Sequence, residues 1–179
     1  MDDKIKWGVD PAHSEVTFKV KHMMVSNVSG RFTEFDGSIY TTNEDFTTAE
    51  VDFWVNPASI NTGNEDRDKH LKSPDFFDVE NHKEINISLN TIETVDGDGS
   101  YDLYADLTIN GIKKQVKMGA EFGGVMKDPW GNHKAGITIS GKINRKDFGL
   151  NWNAALEAGG VLVGNDVSLH IELQLVKQS

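Results

Sequence analysis

The sequence predicts an all-β protein that closes on itself as a single antiparallel barrel. Three observations carry this: apolar and polar residues alternate with a period of two in nearly every interpretable segment, an Asn-Gly dipeptide joins the clearest pair of runs, and no composition break interrupts the 179 residues. A chain of this length suits one domain over residues 1–179, since domains run roughly 100–200 residues.

Taken in order, Val16, Phe18 and Val20 alternate with Thr17, Lys19 and Lys21, and Ala49, Val51, Phe53 and Val55 alternate with Glu50, Asp52, Trp54 and Asn56. Ile85, Ile87 and Leu89 repeat the pattern. Tyr101, Leu103, Ala105, Leu107 and Ile109 lead into Asn110-Gly111 and then Ile112, Val116, Met118, Ala120 and Phe122. A two-residue type I′ turn needs positive φ at both central residues, so Asn-Gly here predicts a hairpin. Asp96-Gly97-Asp98-Gly99 marks a turn just upstream, which makes three consecutive strands a meander. Ala135, Ile137, Ile139 and Ile143 supply a later strand, and Val167, Leu169, Ile171, Leu173 and Leu175 the last. The total is about eight or nine strands.

Each strand has one apolar face, and one large sheet with almost no helix to cover it buries that face by closing, which also removes its edges. Alternation alone leaves a two-sheet sandwich open as the competing architecture. The one helix candidate is short and polar. Thr62-Gly63-Asn64-Glu65 reads as a capping box, Glu65/Lys69 and Asp68/Lys72 are favourable pairs, and Ser73-Pro74 closes the segment. Leu71 is its only large apolar residue, which places it at the surface or over a barrel mouth. The adjacent Phe76 and Phe77 cannot both face inward on one strand, so at least one plugs an opening or meets a ligand.

Composition narrows the function. With 18 Lys+Arg against 28 Asp+Glu the net charge is −10, which repels nucleic-acid phosphate and anionic lipid surfaces. The absence of cysteine removes disulfides, thiol catalysis and thiolate metal sites. The start, Met1 to Trp7, carries no secretory h-region, and no stretch approaches the ~18 apolar residues of a membrane span, so the expectation is a cytoplasmic chain without stable membrane insertion.

The chain has 15 lysines but only Arg31, Arg67 and Arg145, each at a turn or segment end. A planar five-donor fork suits bidentate binding of an anionic or polar head group, or else a loop-locking pair with a neighbouring Asp or Glu. Arg67, between Asp66 and Asp68, leans toward the second. His13, His22, His70 and His82 raise the question of a metal, but only Asp66 and His70 share a helix face, and no established ligand spacing is present, so no metal or cofactor is expected. His22 lies on the same strand face as Val16, Phe18 and Val20, which leaves it either pointing into the barrel toward a ligand or serving as a hydrogen-bonded core histidine. There is no G-x-S-x-G elbow or other nucleophile arrangement, and Met23-Met24 reads as core filler or adaptable lining.

Several separate motifs in order resemble the YceI-like family: Trp7-Gly8-Val9-Asp10-Pro11-Ala12-His13-Ser14, His22-Met23-Met24-Val25-Ser26, Gly30-Arg31-Phe32, Arg67-Asp68 with His70-Leu71-Lys72-Ser73, Asp75-Phe76-Phe77-Asp78, Leu107 to Gly111, and Ile143-Asn144-Arg145 with Asp147-Phe148-Gly149-Leu150. The resemblance implies an eight-stranded lipocalin-like barrel with one or two short helices, often a dimer. It also implies a lumen that holds a polyisoprenoid or similar amphiphile, and leaves the head group open among diphosphate, quinone and amide. The expected function is non-enzymatic binding, transport or storage of that lipid. Val16, Phe18, Val20, Val51, Phe53, Leu107, Ile109, Phe122, Ile137, Ile139, Leu169 and Ile171 are expected to face the lumen. His22, Arg31, Phe76, Phe77, Arg145, Phe148 and Asn151 are expected at the mouth. The alternative is a hydrolase or isomerase using Asp66, Asp68 and His70. In a homodimer, the strand exterior at Trp54 or Tyr104 would be the place of contact.

Overall fold

The computed structural model describes residues 3–23, 25–95, 99–153 and 163–178. Met24 and the Asp96-Gly97-Asp98 part of the expected turn lie outside them. The strands are β1 (Lys4–Val9), β2 (Glu15–His22), β3 (Ser26–Phe32), β4 (Phe35–Thr42), β5 (Asp45–Val55), β6 (Ile60–Asn61), β7 (Ile85–Val95), β8 (Ser100–Ile109), β9 (Ile112–Lys127), β10 (His133–Asn144) and β11 (Val163–Lys177), with one helix, α1 (Glu65–Lys72).

These eleven segments build eight barrel strands, because three long strands are each broken in two. Both β1 and β2 lie between β11 on one side and the β3–β4 strand on the other: Trp7 sits opposite Lys177 and Ile39, and Val16 sits opposite Ile171 and Phe32. Likewise β5 pairs with β4 and its continuation β6 with β3. All pairings are antiparallel, and the contact of β1 with β11 closes the ring. The closed barrel therefore replaces the sandwich alternative.

Asx-Pro dipeptides explain two of the breaks. Asp10 accepts from the Ala12 N–H ahead of a 3-10 turn over Pro11–His13, and Asn56 does the same for Ala58 ahead of Pro57–Ser59. Proline cannot continue the ladder, so the strand bends there and resumes. The Asp10 carboxylate meets the His13 ring at 2.9 Å, and that bond, working against burial, holds its pKa below the ordinary value. The expected Asn-Gly hairpin joins β8 to β9, with φ of 54° at Asn110 and 73° at Gly111.

The helix starts two residues later than the capping box predicts. Asn64, whose side chain accepts from the Arg67 N–H, is the N-cap, and the Thr62 hydroxyl instead donates to Asp68 Oδ1 at 2.5 Å. Gly63, at φ 82°, turns the chain between them. No residue of α1 is buried, as its polar sequence dictates.

One end of the barrel is plugged by aromatic rings. Trp7 is fully buried, its Nε1 donates to the Thr41 hydroxyl at 2.9 Å, and Phe46 bridges it to Phe122 with ring centroids 5.0 and 4.7 Å apart. Replacing Trp7 with Ala leaves a cavity and removes the indole donor to Thr41, whose hydroxyl keeps only its bond to the Asn43 carbonyl, and is expected to destabilise the protein by about 3–5 kcal/mol in urea denaturation. A change below about 1 kcal/mol would show that this ring cluster does not hold the end shut.

Candidate functional site

The period-two registers point the apolar faces of all eight strands into a lumen of two stacked chambers. The lower chamber, of about 90 Å³, is walled by Val51, Phe53, Phe122, Ile137 and Ile139 above the aromatic plug. The upper chamber, of about 420 Å³, is walled by Val16, Phe18, Val20, Leu107, Ile109 and Leu169. Ile87 and Ile171 line both, so the chambers meet there. A cavity bounded by such side chains gives water no hydrogen-bond partners and accepts apolar matter.

Two chain segments roof the upper chamber. From α1, Asp66, Arg67, His70 and Leu71 face it; from the following turn, both Phe76 and Phe77 do. The two phenylalanines lie on a turn rather than a strand, so the alternation that would send one outward does not apply. Trp152, from the segment after β10, completes the roof: the His70 ring stands edge-on to Trp152 at 4.5 Å and to Phe76 at 5.2 Å, while its Nε2 meets Asp75 at 2.8 Å. On the opposite side Phe77 packs edge-on against Phe32, which in turn touches Phe18.

The polar groups of the site collect at this end alone. Lys21, His22, Asp66, Arg67, His70 and Arg145 border the upper chamber, and the lower chamber has no charged residue in its lining. Arg145 is 2% exposed. Its Nε donates to the Gly164 carbonyl, its Nη1 to those of Leu150 and Trp152, and its Nη2 to that of Val163. Burial pulls its pKa below the ordinary value. Four carbonyl dipoles, rather than a neighbouring carboxylate, compensate the charge, and the fork thereby ties the roof segment to β11.

Residues 7–175 match the YceI-like domain, which covers most of the chain. The chain belongs to the YceI-like family. A UPF0312 protein of Staphylococcus aureus strain N315 is 41% identical over 88% of this chain and 90% of its own length. The crystal structure of the Campylobacter jejuni YceI protein superposes with a TM-score of 0.76 at 30% identity, covering 89% of this chain and 90% of that one. A polyisoprenoid-binding domain from Saccharophagus degradans shares the fold, with a TM-score of 0.72 at 15% identity over 96% of this chain and 98% of its own.

In this YceI-like barrel every residue expected to face the lumen lines one of the two chambers, whereas the expected mouth residues divide. His22, Phe76, Phe77 and Arg145 border the upper chamber. Arg31 does not: Val16 and Phe32 face inward as a pair, so the alternation sends Arg31, beside Phe32 and opposite Thr17, to the outer wall. Phe148 is buried beneath the roof in the core without lining the cavity, and Asn151 is exposed. Nor do the arginines pair with neighbouring carboxylates. Arg67 donates to the hydroxyl and carbonyl oxygens of Thr62, and Arg145 donates to carbonyls. The set proposed for acid–base chemistry is also parted, because Asp68 accepts from the backbone and hydroxyl of Thr62 while Asp66 and His70 face the chamber. Trp152 escaped the sequence reading because it lies in an aperiodic segment, and Leu71, the lone large apolar residue of a polar helix expected at the surface or over a mouth, was not counted among the site residues.

The Arg145 clamp generates a prediction. Arg145→Met is expected to lose about 3–5 kcal/mol in urea denaturation, because four carbonyls lose their donors at a site closed to water. Arg145→Lys is expected to recover only part of this, since an ammonium cannot reproduce the planar fork. Full recovery by Lys would show that charge alone suffices.

Proposed function

We propose that this protein binds a long-chain isoprenoid or similar amphiphile without chemically altering it, holding the tail in the two chambers and the head group at the roofed mouth. The observation that carries this reading is the polarity gradient of the lumen: a lower end lined by apolar residues and Tyr101 with no charged side chain, and charged residues gathered at the upper end. That gradient matches a molecule with one long apolar end and one polar end. The Saccharophagus degradans domain that shares this fold is a polyisoprenoid-binding domain, which supports the same ligand class.

Magnitudes favour the tail as the source of affinity. Burial contributes roughly 0.8 kcal/mol per CH₂, so one five-carbon unit contributes on the order of 4 kcal/mol. Association itself costs about 4–15 kcal/mol, so a single unit binds weakly and several are needed for submicromolar affinity. The head group sets orientation at a mouth that already holds Lys21, His22, Arg67 and Arg145 against Asp66. Carriage or storage of the lipid, rather than turnover, fits a site in which Asp68 is tied to Thr62 and is not presented to the chamber beside His70.

The test is a tail-length series. In a fluorescence displacement assay, affinity is expected to rise steeply from geraniol through farnesol to geranylgeraniol and to change less when the geranylgeranyl alcohol is exchanged for its diphosphate. Leu169→Trp, which narrows the upper chamber, is expected to weaken geranylgeraniol binding by tenfold or more, about 1.4 kcal/mol, while the protein stays folded. Equal affinity across the series, or undiminished binding to the folded Leu169→Trp protein, would refute the lumen as the site.

A further inference from the structure

The outer wall of the barrel carries a second ordered feature, independent of the lumen. Across β10, β11, β2 and β3, the registers align Lys142, Ser168, Lys19 and Ser29 in one row. The adjacent row, which runs on to β6, is Ser140, His170, Thr17, Arg31 and Asn61. These nine residues line one outward groove whose lining also includes Gly30, Gly63 and Gly141 and contains no carboxylate.

The surrounding charge is sorted about this strip. The next row toward the plugged end places Glu121, Thr138, Glu172 and Glu15 side by side, and on the mouth side Asp166 stands opposite Asn144. Only His170 in the strip meets one of these flanking groups, its Nε2 lying 3.1 Å from Glu172. Among the described residues, no carboxylate lies within 4.0 Å of the side-chain nitrogens of Lys19, Arg31 or Lys142. All three are exposed. Three cations gathered in one groove whose lining holds no carboxylate make a local positive strip on a chain of net charge −10.

We infer that this groove binds an extended, multiply charged phosphate chain lying across the strands. Strands are about 4.8 Å apart and residues of one face about 7 Å, so Lys142 and Lys19 stand roughly 10 Å apart, with Arg31 offset into the next row. One elongated anion reaches all three. Arg31 supplies a fork for two oxygens, the lysines supply point charges, and the serines supply hydroxyl donors. Asn61 offers its amide N–H, because its Oδ1 already accepts from Gly63. The two rings that border the groove are already engaged, Phe18 with Phe32 and His170 with Glu172, which disfavours base stacking and so a nucleic acid. The row of glutamates alongside would repel the plane of an anionic bilayer, yet a single chain seated in the strip avoids it.

The experiment uses the intact protein and a fluorescently labelled short linear inorganic polyphosphate, followed by anisotropy at low and raised salt. Saturable binding that weakens with salt is expected. Lys19→Gln/Arg31→Gln/Lys142→Gln should weaken it roughly tenfold or more, while the charge-keeping Lys19→Arg/Arg31→Lys/Lys142→Arg protein retains most of it. The control Lys113→Gln/Lys114→Gln/Lys146→Gln, which removes equal charge elsewhere, should bind like wild type. Four results would overturn the inference: no saturable binding, equal loss in the control, inorganic phosphate binding as tightly as the chain, or capture by phosphatidylglycerol vesicles in its place.

Discussion

Period-two alternation gives this chain a sheet with one apolar face and no helix layer to bury it, and ring closure is the constraint from which the rest of the structure follows. Closure depends on one broken strand. Because β1 and β2 both lie between β11 and the β3–β4 strand, the ring is sealed along its length, although the chain turns at Asp10-Pro11 between them. Side chains then decide how much of the enclosed space is filled. At the lower end Trp7, Phe46 and Phe122 stack into a plug, and Trp7 finds its polar partner in Thr41. At the upper end the walls are mostly Val, Leu and Ile, and a chamber remains.

A chamber closed below and roofed above needs a roof that is held without being packed like a core. Two devices provide this. Arg145 replaces the missing apolar contacts with four hydrogen bonds to carbonyls, fixing the segment that carries Trp152. α1 contributes a polar outer surface and only Leu71 as a large apolar residue, and it is tied at its ends by Asn64, Thr62 and the His70–Asp75 contact. Few buried apolar contacts in a segment mean a low local opening free energy, which suits the element a long ligand must pass.

Much of this was legible in the alternation. Once strands were recognised, the inward face followed residue by residue, and Val16, Phe18, Val51, Phe53, Leu107, Phe122, Ile137 and Leu169 all reach the chambers. What alternation cannot supply is the side of a residue in a strand with no pattern of its own. β3 reads Ser-Asn-Val-Ser-Gly-Arg-Phe, and the inward role of its glycine, whose Cβ would sit 2.4 Å from the Phe18 ring, hid the fact that Arg31 faces out. The roof was harder still, since Phe148, Asn151 and Trp152 lie in aperiodic chain whose placement depends on distant carbonyls. The two Asx-Pro turns were readable in principle, because such dipeptides initiate turns, and they account for two of the three breaks by which eleven strand segments make eight barrel strands.

The account stands on the claim that the lumen holds a lipid rather than serving as unfilled scaffold. Native mass spectrometry of the freshly purified protein, with organic extraction of whatever it releases, tests that claim most directly. A stoichiometric long-chain isoprenoid or kindred amphiphile is the predicted result. A ligand-free protein that also takes up no added polyprenyl lipid would contradict it.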